Sequence, residues 1–340
     1  MTAPRSSAQL SRPIVVLSGA LGSGKTSGIT QLLARMGYRR PHVIVNDIGI
    51  STNEFDASGL PTRSGYTTIG EGCACCDKRA ELLTVLCDLT NRPQDSFDSI
   101  LLEVSGVADP ANVVNAIVEH PKLRHHLVVD SLVHYIDALD ENCDTSGNRS
   151  ALALANICVV SKADLVGQAK LASVQTEIRA TNPTLAVLMQ RWARGHLTIE
   201  QVHAGKAHSG TFVTENKHSA HARPVVQNLV LPMDVSWLAL TTWMAALLHT
   251  WGDRILRIKA SVPTAEGVVA IHGVKHTVLP PTLIVTPPGL PRPEVGTMVL
   301  IGERFDPALV LESITKLVHP RITIADSSDR GPVTERQPRP

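Results

Sequence analysis

The chain has 340 residues, 43% of them hydrophobic and 19% charged, which at roughly 150 residues per domain is enough for about two domains. Lys and Arg total 32 against 31 Asp and Glu, a net charge of +1, so neither a basic nucleic-acid coat nor an acidic tail protein fits the charge balance. Aromatic residues are 3%, too few for the stacking platforms of single-strand binders, and no apolar run approaches the roughly 18 residues of a membrane span.

Met1 to Pro13 is polar without an apolar stretch and reads as a disordered leader, assigned to residues 1–12. Ile14–Leu17 then forms a short apolar run closed by glycines, the pattern of a buried parallel strand. Lys25 to Met36 has helical spacing and stops at Gly37, a C-cap signal. His42–Val45, Ser99–Leu102, Val133–Ile136 and Ile157–Val160 repeat the strand pattern, each followed by a polar or Gly/Asp-rich turn. Such alternation predicts an α/β fold: a parallel sheet flanked by helices over residues 13–202.

Residues 203–224 are rich in His, Ser, Gly and Ala without apolar periodicity and read as a linker. Beyond it, Asp234 is placed as the cap of a helix presenting Trp237, Leu240, Thr241, Met244 and Leu248. Strand-like runs follow at Ile255–Ile258, Val268–His272 and Thr297–Ile301, giving a smaller α+β domain over 225–325. Residues 326–340 read as a disordered tail.

Gly19-Ala-Leu-Gly22-Ser23-Gly24-Lys25-Thr26 fits the phosphate-loop pattern G-x-x-x-x-G-K-[ST], after a strand and at the start of a helix. Its glycines let successive N–H groups converge on one anion at the positive end of the helix, and Ser27 continues that turn. Lys25 is expected to reach the β- and γ-phosphates and Thr26 to hold Mg²⁺. Ser161-Lys162-Ala163-Asp164 resembles the [NS]-K-x-D element of GTPases. There the aspartate accepts from guanine N1–H and the exocyclic amine, and the lysine stem packs on the base. A solvated Lys/Asp pair is the plainer alternative. Glu103, at the end of an apolar strand, is a candidate to orient Mg²⁺ or the attacking water, and Gly106 to offer its N–H to the γ-phosphate. An acid that merely caps the next helix is the other reading.

Of six cysteines, Cys73, Cys75 and Cys76 fall within four positions. Without an export signal they read as reduced thiols suited to a soft or borderline ion such as Zn²⁺, Cu(I) or Co²⁺. Three local ligands leave a coordination position open, as transfer requires. A structural zinc site and a redox thiol pair remain open. Cys158, in an apolar run, reads as an inert buried thiol.

GALGSGKTS, the V-N-D-I-G stretch Val45–Gly49, G-C-A-C-C, E-V-S-G-V-A-D-P at Glu103–Pro110 and S-K-A-D together resemble the CobW family of metal-homeostasis GTPases. Trp251–Lys259 and Ile271–His276 are similar to the family's C-terminal domain, and the likeness runs over roughly residues 12 to 318. The resemblance implies a P-loop GTPase fold and a cytoplasmic, GTP-hydrolysing metallochaperone that delivers a divalent transition metal, Zn²⁺ or Co²⁺ foremost and Fe²⁺ also, to a client metalloprotein. It implies Cys73, Cys75 and Cys76 as metal ligands. Asp47 stands where the family usually has glutamate and is a contact to metal or Mg²⁺ with a shorter reach. His120 is an accessory ligand in this reading, or a surface histidine.

His196, His203, His208, His218 and His221 are spread over the linker region, and His272 and His276 are assigned to a strand of the second domain. No obvious arginine finger is visible; Arg79, just after the thiols, is the nearest candidate, with a solvated helix charge as its plainer reading. Intrinsic turnover is therefore expected to be slow, on the order of 10⁻³ to 10⁻² s⁻¹. No nucleic acid or membrane partner is expected, and a homodimer is compatible with these motifs. A nucleotide-switched assembly factor with a structural metal, and a small-molecule P-loop kinase, are the competing functions.

Overall fold

The computed structural model describes residues 11–46, 65–70, 74, 78–140, 146–193, 196–201, 225–264, 267–279, 281–283 and 295–325. The expected linker 203–224 and tail 326–340 lie outside them, as do Asp47, Cys73, Cys75 and Cys76.

The first unit runs β1 (Arg12–Gly19), α1 (Lys25–Met36), β2 (Pro41–Asn46), β3 (Gly65–Ile69), α2 (Arg79–Thr90), β4 (Ser99–Glu103), α3 (Pro110–Glu119), α4 (Leu123–His126), β5 (Leu127–Asp137), α5 (Ser146–Leu154), β6 (Ile157–Ser161), α6 (Gln168–Thr181), β7 (Ala186–Ala193) and β8 (His196–Gln201). Its eight strands are ordered β3-β2-β4-β1-β5-β6-β7-β8. All pairings are parallel except β7 with β8.

The strands are apolar on both sides because both faces are covered. Ile14, Val16, Ile44, Ile100 and Leu102 pack on one side with Leu82, Leu86 and Val113 of α2 and α3. Val15, Leu17, Val43, Val45 and Leu101 pack on the other with Ile29, Leu32 and Leu33 of α1. The chain leaves β1 toward β2 on one side, whereas β5 to β7 extend the sheet on the other. The carboxyl end of β1 is therefore the switch point where such folds bind ligands.

Strand β1 starts at Arg12, inside the expected leader. Its guanidinium lies 4.2 Å from the Phe97 ring centre and donates to the carbonyls of Leu89, Arg92 and Pro93. These bonds bury Arg12 to 5% exposure. The polar character of the segment hid a partnered arginine.

The second unit contains β9 (Val225–Val230), α7 (Trp237–Trp251), β10 (Ile255–Thr264), β11 (Gly267–Val274), β12 (Thr277–Val278), β13 (Thr282–Leu283), β14 (Thr297–Gly302), α8 (Pro307–Leu317) and β15 (Thr323–Ile324). The sheet is antiparallel, ordered β12-β11-β10-β14-β9-β15, with β13 on β11. Helices α7 and α8 cover one face, where Leu240, Trp243, Met244, Leu248, Val310 and Ile314 meet Ile258, Val262, Ile271 and Leu300. Val274, Leu279 and Ile301 instead join the core around α3 and β5 of the first unit.

Four expectations are corrected here. Helix α7 is capped by Ser236, whose side chain accepts from Ala239 N, while Asp234 is bound by Arg321. Its buried stripe runs through Trp243, and Trp237 stays 45% exposed. His196 belongs to edge strand β8 and not to a linker, and His276 sits in the turn after β11, beside Asp253 and the Leu248 carbonyl.

Candidate functional site

The phosphate loop joins β1 to α1. Gly24 opens α1 at φ +82°, a left-handed conformation that glycine adopts without steric cost, and Gly22 is likewise left-handed. The Ser23 N–H donates to the Ala20 carbonyl at 3.2 Å and closes the turn. Lys25 is 4% exposed, and its ammonium donates to the carbonyls of Gly19 (2.9 Å) and Ala20 (3.0 Å), inside the curl. Ser27 is exposed in the first turn of α1.

Glu103 ends β4, in register with Leu17 of β1 and Val45 of β2, and is fully buried. Its Oε1 accepts the Thr26 hydroxyl at 2.7 Å. One carboxylate and one hydroxyl thus share a hard-oxygen donor set of the kind Mg²⁺ selects, so these residues fit that ion. Burial, and the negative charge of Glu103 after it, push the phenols of Tyr66 and Tyr135 upward. Past Glu103 the Val104 N–H donates to the Leu17 carbonyl at 2.9 Å and holds the chain against β1. Gly106 then lies directly on the phosphate loop: a Cβ there would stand 2.5 Å from the Leu21 N. Asp109 caps α3 by accepting from Ala111 N at 2.9 Å, and its other oxygen accepts from Lys275 Nζ at 2.7 Å.

Ser161 closes β6, and its Oγ donates to the Ile136 carbonyl at 3.2 Å. Lys162 is left-handed at φ +52° and its ammonium pairs with Asp137 at the end of β5. Asp164 is exposed in the following turn. The loop is braced by Gln190 of β7, whose carbonyl accepts from Ala163 N at 3.1 Å and whose amide lies 3.5 Å from the Gly24 carbonyl.

Sequence reading overlooked Asp137 and Gln190. Asp137 carried a usable signal, an acid at a strand end like Glu103. Gln190 carried none, since only the fold brings β7 to the phosphate loop.

The segment holding the three cysteines is described at Ala74 alone. Ala74 is fully buried and its N–H donates to Oδ1 of Asn46 at 3.0 Å, at the end of β2. Arg79 is exposed in the first turn of α2. His120 follows α3, where its Nδ1 accepts from the N–H groups of Lys122 and Leu123, both at 3.3 Å; its Nε2 is 4.0 Å from the Cys87 sulfur. Cys158 is buried, which pushes its thiol up and keeps it protonated. Among the described residues, no three His, Cys, Asp or Glu side chains converge on a metal position, and no helix is long and apolar enough to cross a membrane.

Residues 13–189 match the family model described as CobW/HypB/UreG, nucleotide-binding domain, and residues 228–318 the cobalamin synthesis protein cobW C-terminal domain. The chain is 28% identical over 225 residues to the zinc chaperone CobW of Pseudomonas aeruginosa, covering 55% of this chain and 58% of that protein. It is 25% identical over 263 residues to the zinc chaperone YjiA of Escherichia coli, covering 72% of this chain and 80% of that one. The crystal structure of Zn(II)-bound YjiA GTPase from E. coli superposes with a TM-score of 0.54 at 19% identity, over 91% of this chain and 99% of that chain. At that identity the likeness concerns the fold.

Proposed function

Given that the chain belongs to the CobW/HypB/UreG family, matched over more than half its length, we propose that it is a GTP-hydrolysing metallochaperone. Cys73, Cys75 and Cys76 would bind a divalent transition metal, zinc foremost and cobalt or iron as alternatives, with Asp47 as a further contact, and pass it to a client metalloprotein in the cytoplasm. The observation that carries the reading is a short run of contacts. Ala74, between two of the cysteines, is tied to Asn46; the neighbouring Val45 is in register with Glu103; and Glu103 holds Thr26.

Guanine would be selected by Asp164, with the Lys162 stem against the base and Lys162 held by Asp137. The loop amides of Gly22, Ser23, Gly24 and Ser27 would surround the β-phosphate. Lys25 would exchange its carbonyl partners for the β- and γ-phosphates and stabilise charge on the transferring group. Thr26 and Glu103 would hold Mg²⁺, which when bound offsets phosphate charge. Gly106, close against Leu21, would donate its N–H to the γ-phosphate and report its loss. Turnover is slow, on the order of 10⁻³ to 10⁻² s⁻¹, the scale of P-loop GTPases to which no arginine is supplied.

Linkage makes the coupling reciprocal: metal changes nucleotide affinity by the factor by which nucleotide changes metal affinity, about 5–150-fold in coupled systems. Competition titration of Zn²⁺ against a chromophoric chelator, with the protein loaded with GTP analogue or GDP, tests this. Different affinities are expected. Equal affinities would reduce the thiols to a structural site and remove the delivery function.

A further inference from the structure

The second sheet turns a basic face toward the first unit. Arg257 and Lys259 of β10, two residues apart, point to the same side, and Lys259 lies opposite His272 of β11. Arg257 is only 3% exposed. Its Nε, the Nδ1 of His272 and the Oγ of Ser261 further along the strand are buried without a hydrogen-bond partner. No carboxylate among the described residues forms an ion pair with Arg257, Lys259 or His272.

A cavity of about 180 Å³ separates this face from the start of β5, with His272, Arg124 and Asp130 on its wall and Val129, Leu279 and Leu283 as apolar lining. A pocket of about 20 Å³ adjoins it, shares Val129, Asp130, His272 and Leu279, and is walled by Arg257 and Asn156. Asp130 is engaged elsewhere: its Oδ2 accepts from the Tyr38 hydroxyl at 3.1 Å and the Ser131 hydroxyl at 3.0 Å.

Clustered cations taken from water without a counter-charge are unfavourable, and a bound anion removes the penalty. The guanidinium fork, the ammonium and the imidazole present several donors, which a tetrahedral oxyanion accepts and chloride does not match. A single water needs roughly 10–15 Å³ of such space, so a cavity of about 180 Å³ has room for a phosphate group and a small apolar substituent. We propose that this inter-unit cavity is a binding site for a phosphate-type oxyanion, free or as a small phosphate monoester, held by Arg257 and His272 on its wall, with Lys259, opposite His272 across the strands, supplying further positive charge. Burial and the neighbouring positive charges lower Lys259 to about 7 and His272 to about 3, so near pH 7.5 without an anion His272 is neutral and Lys259 largely deprotonated. Oxyanion binding therefore draws a proton onto Lys259.

The test uses the full chain saturated with GDP at pH 7.5, titrated calorimetrically with inorganic phosphate against chloride of equal ionic strength, in two buffers of different ionisation enthalpy. Phosphate binds with net proton uptake, and chloride does not. Lys259→Gln and His272→Gln each weaken the apparent Kd about tenfold, whereas Lys259→Arg, which keeps the charge, retains binding and so excludes a folding defect. Lys25→Ala leaves the phosphate affinity within about twofold, which separates this site from the nucleotide loop. Phenyl phosphate binding more tightly than phosphate supports the site with a monoester as occupant; equal or weaker binding supports it with free phosphate. Equal phosphate binding by the wild type and Lys259→Gln, or its loss in Lys25→Ala, overturns the proposal.

Discussion

The side-chain oxygen of Asn46 accepts the backbone N–H of Ala74 at 3.0 Å, in a fully buried setting. One strand away, Glu103 is bonded to Thr26. The bond therefore fixes the middle of the cysteine triplet to the strand end beside the phosphate loop. Asn46→Ala leaves a buried N–H without its acceptor and is expected to lower stability by about 1–3 kcal/mol. Asn46→Asp retains an acceptor at that position. In the alanine variant the ratio of zinc affinities between GTP- and GDP-loaded protein falls toward one, as read by chelator competition. A ratio unchanged from wild type would show that the triplet senses nucleotide by another route.

The hydrogen bond from Thr26 to Glu103 allows charge and structure to be separated. Glu103→Gln keeps a side-chain acceptor for the Thr26 hydroxyl but removes the negative charge. It is expected to leave GDP binding and thermal stability near wild type while reducing GTP hydrolysis by about 10²-fold, the scale seen on losing one electrostatic group at a reacting phosphate or acyl centre. Single-turnover phosphate release measures this. A rate within a few-fold of wild type would make Glu103 a brace for the loop alone.

Much of this arrangement was legible in the residues. The glycines around Lys25, the acid closing an apolar run at Glu103 and the Lys162–Asp164 step carry local chemistry, so spacing exposes them. Asn46 lay inside a recognised stretch, but its role depends on Ala74, 28 positions later, which no periodicity reveals. Gln190 reaches Gly24 across 166 positions. The sheet of the second unit was read only in pieces. Its short strands β12, β13 and β15 are held by pairing and not by propensity, and the stripe of α7 shifted because Trp243, and not Trp237, faces the sheet.

Gly106 offers a steric test of the loop beyond β4. A methyl group there meets the Leu21 N at 2.5 Å and the Ala20 carbonyl carbon at 3.0 Å, both backbone atoms that cannot rotate aside. Gly106→Ala thus forces the two loops apart. If Gly106 donates to the γ-phosphate as proposed, fluorescent-nucleotide titration shows weakened binding of the GTP analogue and nearly unchanged binding of GDP. Equal losses for both nucleotides would place the damage in the phosphate loop itself.

Buried bases set the pH response of stability. His42 is 2% exposed, its Nε2 is 2.9 Å from the Thr67 hydroxyl, and burial followed by the charge of Arg92 lowers its pKa to about 4. The unfolded chain then takes up a proton near pH 6.5 that the folded chain refuses until about pH 4. The contribution of His42 is complete above 6.5 and declines as pH falls through that window, by at most about 1.4 kcal/mol per pH unit. His272 acts in the same sense down to about 3, and Lys259 between its ordinary value of 10.5 and about 7. Urea unfolding from pH 7 to 4 is expected to show a slope that His42→Gln reduces by about one proton. An unaltered slope would mean that His42 is charged in the folded protein.

Asp109 occupies the junction between the two units. It follows the Glu103–Gly106 loop, caps α3 with one oxygen and accepts from Lys275 with the other. Any displacement of that loop by the proposed γ-phosphate contact would bear on the second unit through an ion pair at 2.7 Å. Both partners are partly exposed, so the pair itself contributes at most about 1 kcal/mol. Asp109→Asn preserves the cap and Lys275→Met preserves the stem packing, so each removes only the ion pair. Asp109→Ala removes the cap as well, at a further cost of about 1 kcal/mol. A double-mutant cycle of Asp109→Asn with Lys275→Met, run on GDP- and GTP-analogue-loaded protein, reads the pair energy in each state. A difference between the states identifies the pair as part of the nucleotide response. Identical energies make it a static clamp, since an interaction of equal strength in two conformations cannot shift the balance between them.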